Sequence, residues 1–237
     1  MRIVAHRGYS HFYPDNTLLA YQRAFEEGAD FIEVDMMITS DGVPFIQHNL
    51  LADGRAIREM TEQEALYSNW DAPSFEEVLA LVRDYRGGVY LDIKDRALSS
   101  ILGDLLDRMK DIPVVFSSFD APFLREVKRL DRKIKTALLI GSVYDAHFIV
   151  EIARHYEADI IHPAWESRHP YPHHLLSEML PIFRREGFEV SSWHEEREEV
   201  IRELIKMGID YLSTNDVPLA VKVREELLQK EVPYEGI

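Results

Sequence analysis

The stretch IVAHRGYSHFYPDNTLLAYQRAFEEGADFIEVD, residues 3–35, reads as strand, helix, strand. Its first and last runs, Ile3-Val4-Ala5 and Phe31-Ile32-Glu33-Val34-Asp35, are short and rich in apolar and β-branched residues, while 18–27 is a helical run. Such alternation calls for parallel strands with helices packed outside them. Working outward, the same unit recurs: further strands are expected at 89–93, 114–116, 136–140, 159–162, 189–192 and 211–213, and further helices at 75–84, 98–109, 121–129, 146–155, 174–186 and 196–207. Eight strands in 237 residues fit a closed (β/α)8 TIM barrel better than an open sheet, with 1–237 as one domain. Thr61-Glu62-Gln63-Glu64 and Ser74-Phe75-Glu76-Glu77 read as capping boxes. The tail after Leu228 is expected to be loosely held.

One segment departs from the alternation. Ser40-Asp41-Gly42 separates two β-rich runs, a β-hairpin signal after the second strand. With the turn near Asp41, residues whose numbers sum to about 82 face each other, so Asp35 lies opposite Gln47 and His48 returns to the level of Glu33 and Asp35. A short insertion, 49–74, follows the hairpin.

Composition narrows the function. A net charge of −15 makes the chain a poor partner for nucleic acid, because its field repels phosphate. The absence of Cys excludes disulfides, thiolate catalysis and Cys-ligated zinc. No secretory leader is visible and no apolar run approaches a membrane span, so a cytoplasmic address without stable membrane association is expected.

Barrel active sites lie at the C-terminal strand ends. Those ends carry His6 and Arg7, Glu33 and Asp35, His48 on the returning hairpin arm, and Asp92 and Lys94. Glu33 and Asp35, two residues apart on a strand, point to one face. With Asp92 they form a three-carboxylate set suited to one hard divalent cation, Mg²⁺ or Ca²⁺, with Mn²⁺ as a further candidate. Arg7 and Lys94 supply the fork and the point charge a phosphodiester needs. His6 and His48 supply an acid and a base, the assignment between them open. Trp193 is placed to pack under a substrate.

On these residues the chain resembles the glycerophosphodiester phosphodiesterases. His6-Arg7-Gly8, Pro14-Asp15-Asn16-Thr17, Glu33-Val34-Asp35, Thr39-Ser40-Asp41-Gly42 and His48-Asn49 carry the resemblance. It continues through 60–66, 72–79, Asp92-Ile93-Lys94, Ser118-Phe119, Trp193 and Thr214-Asn215. The resemblance implies a barrel that hydrolyses small-molecule glycerophosphodiesters to glycerol 3-phosphate and an alcohol. It matches Glu33, Asp35 and Asp92 to metal ligands, His6 and His48 to the acid–base pair, and Arg7 and Lys94 to phosphate contacts. Asp92 stands where the family has Glu, Asp15 where it has Glu, Asn49 where it has Asp, and His194 where a Thr follows the Trp.

Two rival readings stand beside this one. A lipid-directed phospholipase C or D on the same barrel predicts an exposed apolar loop at the rim, whereas 49–71 reads as short and polar. A non-catalytic phosphate-ligand binder would be a barrel that has lost turnover. Of the remaining histidines, His147 and His155 read as helix surface, and His169, His173 and His174 as a rim loop with a lesser claim on substrate. His162 and His194 are candidates to line the pocket, and the charged run 195–199 reads as an exposed helix start.

Overall fold

The computed structural model describes residues 1–165 and 172–231. In chain order its strands are β1 (Arg2–Ala5), β2 (Phe31–Ile38), β3 (Pro44–Ile46), β4 (Leu51–Ala52), β5 (Arg55–Ala56), β6 (Gly88–Ile93), β7 (Val114–Ser118), β8 (Lys135–Ile140), β9 (Ile160–Pro163), β10 (Glu189–Ser192) and β11 (Tyr211–Thr214). Eight of them pair in parallel in the order β1-β11-β10-β9-β8-β7-β6-β2, and β2 pairs again with β1 to close the ring. The fold is the expected (β/α)8 barrel. All eight expected strands take part in the ring.

The helices are α1 (Leu18–Glu26), α2 (Glu62–Ser68), α3 (Phe75–Tyr85), α4 (Leu102–Arg108), α5 (Ala121–Leu130), α6 (Ala146–His155), α7 (Pro172–Arg185), α8 (Glu198–Met207) and α9 (Val217–Glu231). Both expected capping boxes form, at Thr61 and Ser74. The region 98–109 starts in a tighter 3₁₀ turn, Arg96–Ile101, before α4. Helix α9 was not foreseen. It follows β11 and seals the barrel wall with Val217, Ala220 and Val223, all fully buried. Residues 229–231 therefore continue a helix rather than a loose tail, and 232–237 lie outside the described residues.

The hairpin register holds. Met36 pairs with Ile46 and Ile38 with Pro44, and Gln47 N–H donates to the Asp35 carbonyl at 3.1 Å. The insertion is anchored by a small core of its own, in which Ile57, Met60, Ala65 and Ala72 pack on Met37 and Phe45 of the hairpin.

Within the barrel, polarity changes along the axis. The inward residues near the N-terminal ends, among them Val4, Phe31, Tyr90, Val115, Ile160 and Tyr211, form an apolar plug. The main core lies between the strands and the outer helices, where Ile32, Val34, Leu91 and Ile161 meet Phe25, Leu79, Leu102 and Phe183. Because strand residues alternate faces, the inward positions above the plug in β2 are Glu33 and Asp35.

Candidate active site

Register brings the carboxylates together. In the β2–β6 ladder Glu33 lies beside Tyr90 and Asp35 beside Asp92. Their exposures are 5%, 1% and 2%, and one carboxylate oxygen from each lies within 4.8 Å of the others. Three anions cannot be buried so closely without compensation.

Part of the compensation comes from the chain. Lys94 Nζ sits 2.5 Å from Asp92 Oδ2 and 2.9 Å from Asp35 Oδ1. Arg7 Nε is 3.2 Å from Asp35 Oδ2, and Arg7 Nη1 is 3.3 Å from Asp15. Arg7 has a left-handed backbone, φ 58°, and its N–H donates to Glu33 Oε2 at 2.8 Å. Gly8 continues that turn at φ 85°, where a Cβ would come within 2.6 Å of the Ala20 backbone, so only glycine fits. Asn16 Nδ2 donates to Asp35 Oδ2 at 2.7 Å, while its Oδ1 accepts from the Tyr21 hydroxyl at 2.8 Å.

The compensation is incomplete. Glu33 Oε1 and Asp92 Oδ1 are buried with no hydrogen-bond partner among the described residues. Burial, reinforced by Asp35 and Asp92, pushes the Glu33 carboxyl well above the usual range. Burial pushes Asp92 up to about 6 against the pull of Lys94. Asp35 stays below its ordinary value, because Lys94, Arg7 and Asn16 together outweigh its burial. Three carboxylates against two cations, with buried oxygens unpartnered, fit a hard divalent ion.

The two candidate histidines lie on different walls. His6 is buried and shares a cavity with Arg7, Ser10, His11 and His194. Its Nδ1 lies 2.8 Å from Asn215 Oδ1, which we assign as Nδ1–H donating, leaving the Nε2 lone pair free. Burial, then Arg7 and His194, lower its pKa to about 3. His48 is half-buried and lines an adjoining cavity of about 800 Å³ with Lys94, Arg96 and Phe119. Burial lowers its pKa too, with Asp35 opposing. Trp193 meets His6 edge-on at 5.5 Å and His162 at 5.3 Å.

His162 sits in the barrel interior, its Nδ1 3.0 Å from the Tyr90 hydroxyl, and burial lowers its pKa from 6.5 to about 3. The unfolded chain takes up this proton near 6.5 and the folded chain does not. The stabilising contribution is thus full above pH 6.5 and is lost as pH falls towards 3. Between pH 6.5 and 5 the loss is up to about 2 kcal/mol. Urea midpoints of His162→Phe should therefore fall less between pH 7 and pH 5 than those of the native chain; parallel declines would contradict the assignment.

Residues 6–84 match the glycerophosphoryl diester phosphodiesterase family. A glycerophosphodiester phosphodiesterase of Caldanaerobacter subterraneus is 27% identical over 90% of this chain and 93% of its own. The crystal structure of the glycerophosphodiester phosphodiesterase of Thermotoga maritima superposes with a TM-score of 0.80 at 26% identity, covering 94% of this chain and 98% of that one. The family match, the curated relative and the solved structure all point to the glycerophosphodiester phosphodiesterase family. An Oleispira antarctica phosphodiesterase, solved with its product sn-glycerol-3-phosphate, shares the fold at a TM-score of 0.80 and 20% identity, over 95% and 97% of the two chains.

The family match spans His6, Arg7, Glu33, Asp35 and His48 and stops short of Asp92, Lys94 and Trp193. The fold nevertheless brings Asp92 and Lys94 against Asp35, and Trp193 against His6. Other expectations need correction. His173 and His174 lie in the first turn of α7 rather than in a loop, because the helix starts at Pro172; His169 lies outside the described residues. Helix α8 starts only at Glu198, and Glu195 is buried, paired with Arg197 at 2.6 Å, not exposed. The insertion is not wholly polar, since Leu50, Leu51, Tyr67 and Trp70 are exposed, the first two on the groove that starts at His48. Sequence reasoning missed the clamping roles of Asn16 and Asn215. The one signal was their place inside the Pro14–Thr17 and Thr214-Asn215 motifs.

Proposed function

We propose that this chain hydrolyses glycerophosphodiesters to sn-glycerol 3-phosphate and an alcohol at the barrel mouth, with a divalent cation held by Glu33, Asp35 and Asp92. The observation that carries the reading is the buried carboxylate trio, two of its oxygens unpartnered, bracketed by Arg7 and Lys94. When bound, the cation supplies charge neutralisation and Lewis acidity to a phosphodiester.

The chain's own groups perform the rest. Arg7 keeps part of its guanidinium open to the cavity, with 20% of the side chain exposed, and offers donors to phosphate oxygens. Lys94, held charged by Asp92 and Asp35, adds a point charge on the other side. His6 presents a neutral Nε2 to accept the proton of the nucleophile, which is water or the glycerol 2-hydroxyl by way of a cyclic phosphate. His48, on the opposite wall and more open to solvent, is placed to return a proton to the departing alkoxide. Trp193 buttresses His6 from the side.

A second reading concerns the alcohol. Leu50, Leu51 and Phe119, each more than half exposed, line the groove that begins at His48 and Lys94. An apolar wall beside the proposed leaving-group acid suits a leaving alcohol that carries a hydrocarbon chain, such as the monoacylglycerol that phospholipase C-type cleavage of a lysophosphatidylcholine would release together with phosphocholine. Initial rates on glycerophosphocholine, glycerophosphoethanolamine and an acyl lysophosphatidylcholine, each with Mg²⁺, Ca²⁺ and Mn²⁺, test both readings. Turnover of the small diesters supports the first reading, and a higher kcat/KM on the acyl substrate adds the second. No turnover of any diester would leave a phosphate-ligand binder.

A further inference from the structure

The start of α7 and the middle of α8 carry a second group of metal-ligating side chains, which shares no residue with the carboxylate trio. His173 and His174, in the first turn of α7, and Glu203, on α8, each place one donor atom within 4.8 Å of the other two. His173 Nε2 lies 3.5 Å from Glu203 Oε2. The two imidazoles meet at a ring-centroid distance of 4.2 Å with planes 67° apart. Neighbouring residues on a helix point about 100° apart, so successive histidines usually face different surroundings. Here Glu203 stands within reach of both.

An ion pair between α7 and α8 needs only one of these histidines, and an exposed pair of that kind adds little to stability. The second imidazole turns the group into a chelate of two nitrogens and one carboxylate oxygen. Four-coordinate Zn²⁺, with bonds of about 2.0–2.2 Å to His and carboxylate ligands, sets its ligand atoms roughly 3.3–3.6 Å apart. The 3.5 Å between His173 and Glu203 matches that spacing. The donor set also selects the metal. Imidazole suits Zn²⁺, Ni²⁺, Co²⁺ and Cu²⁺, whereas Mg²⁺ and Ca²⁺ call for all-oxygen sites such as the trio of Glu33, Asp35 and Asp92. The ligands differ in how they are held. His173 is 6% exposed and closes one side of a small cavity lined by Trp165, Leu176 and Trp193, while His174 and Glu203 are exposed. One ligand is fixed by packing, and two stand open to an ion arriving from solvent.

We propose that His173, His174 and Glu203 form a binding site for a transition-metal ion of the Zn²⁺ class, with one coordination position left to water. The ion clamps the start of α7 to α8, beside the cavity that Trp193 lines. This site neither uses nor requires the phosphodiesterase reading above.

The test titrates the full chain with Zn²⁺ by calorimetry at about pH 7.5, where imidazoles are free to ligate, with Mg²⁺ in excess. The native chain is compared with His173→Gln, His174→Gln, Glu203→Gln and Asp35→Asn, and melting without metal checks that each is folded. His174→Gln and Glu203→Gln change exposed side chains, so their effect on binding is read even if His173→Gln is unstable. Each of the three site variants that folds should bind Zn²⁺ about 100-fold more weakly or worse. Asp35→Asn, altered only in the trio, should keep the affinity. Co²⁺ gives a second readout, because four-coordinate Co²⁺ absorbs visible light far more strongly than six-coordinate Co²⁺. The native chain and Asp35→Asn should develop the strong bands, and His174→Gln and Glu203→Gln should not. None of these readouts depends on turnover of a diester, so they stand or fall apart from the phosphodiesterase reading. Unchanged Zn²⁺ affinity in His174→Gln and Glu203→Gln would overturn the proposal, as would loss of binding in Asp35→Asn or a native chain without strong Co²⁺ bands.

Discussion

Asp35→Asn should lower turnover by about 10²–10³-fold or more while leaving the chain folded. Asp35 is the hub of the site. It is 1% exposed, accepts from Asn16, and is paired with both Arg7 and Lys94. Amide replacement removes the charge that holds Arg7 and Lys94, and with it one of the three proposed ligands of the divalent ion. A chelator should reproduce the loss, and added Mg²⁺, Ca²⁺ or Mn²⁺ should reverse it. Cation binding has a readout apart from activity. At a hundredfold excess over Kd the bound ion stabilises the fold by about 2.7 kcal/mol. The native melting temperature should therefore rise with the cation, and that of Asp35→Asn should rise much less. Equal rises in both proteins would remove Asp35 from the cation site.

His48→Ala and His6→Ala should each lower kcat by about 10²–10⁴-fold, with KM less affected. The two losses have different origins. His48 stands at the groove beside Lys94 and Leu51, the proposed exit of the alcohol. An alcohol that needs no protonation distinguishes them: with a p-nitrophenyl leaving group, His48→Ala should recover much of the lost rate and His6→Ala should not. Recovery in both variants, or in neither, would contradict the division of labour between the two walls.

Much of the site was legible from sequence because it rests on short-range rules. Alternation along β2 puts Glu33 and Asp35 on one face, and turn chemistry at Asp41-Gly42 fixes the hairpin register that returns His48. Parallel pairing then sets Asp35 beside Asp92. What escaped depends on contacts between distant segments. His194 meets His6 across the closure of the barrel, and no spacing rule links the end of β10 to the end of β1. Asn16 acts through a left-handed backbone, φ 56°, that aims its amide at Asp35, a conformation its residue type permits but does not announce. Helix α9 was hidden because its apolar residues begin directly after β11 and blend with the strand. Leu50 and Leu51 are inconspicuous in a stretch, 49–71, that reads as polar, and gain their meaning from the fold, which sets them on the groove that starts at His48.

The proposed hydrolysis of a glycerophosphodiester depends on the carboxylate trio and its cation. The most direct measurement follows glycerophosphocholine by ³¹P NMR with chelator-treated protein before and after a divalent cation is restored. No conversion is expected before restoration, and afterwards loss of the diester signal with matching growth of the glycerol 3-phosphate monoester signal. Undiminished conversion in the presence of chelator, or a phosphorus product other than glycerol 3-phosphate at completion, would contradict it.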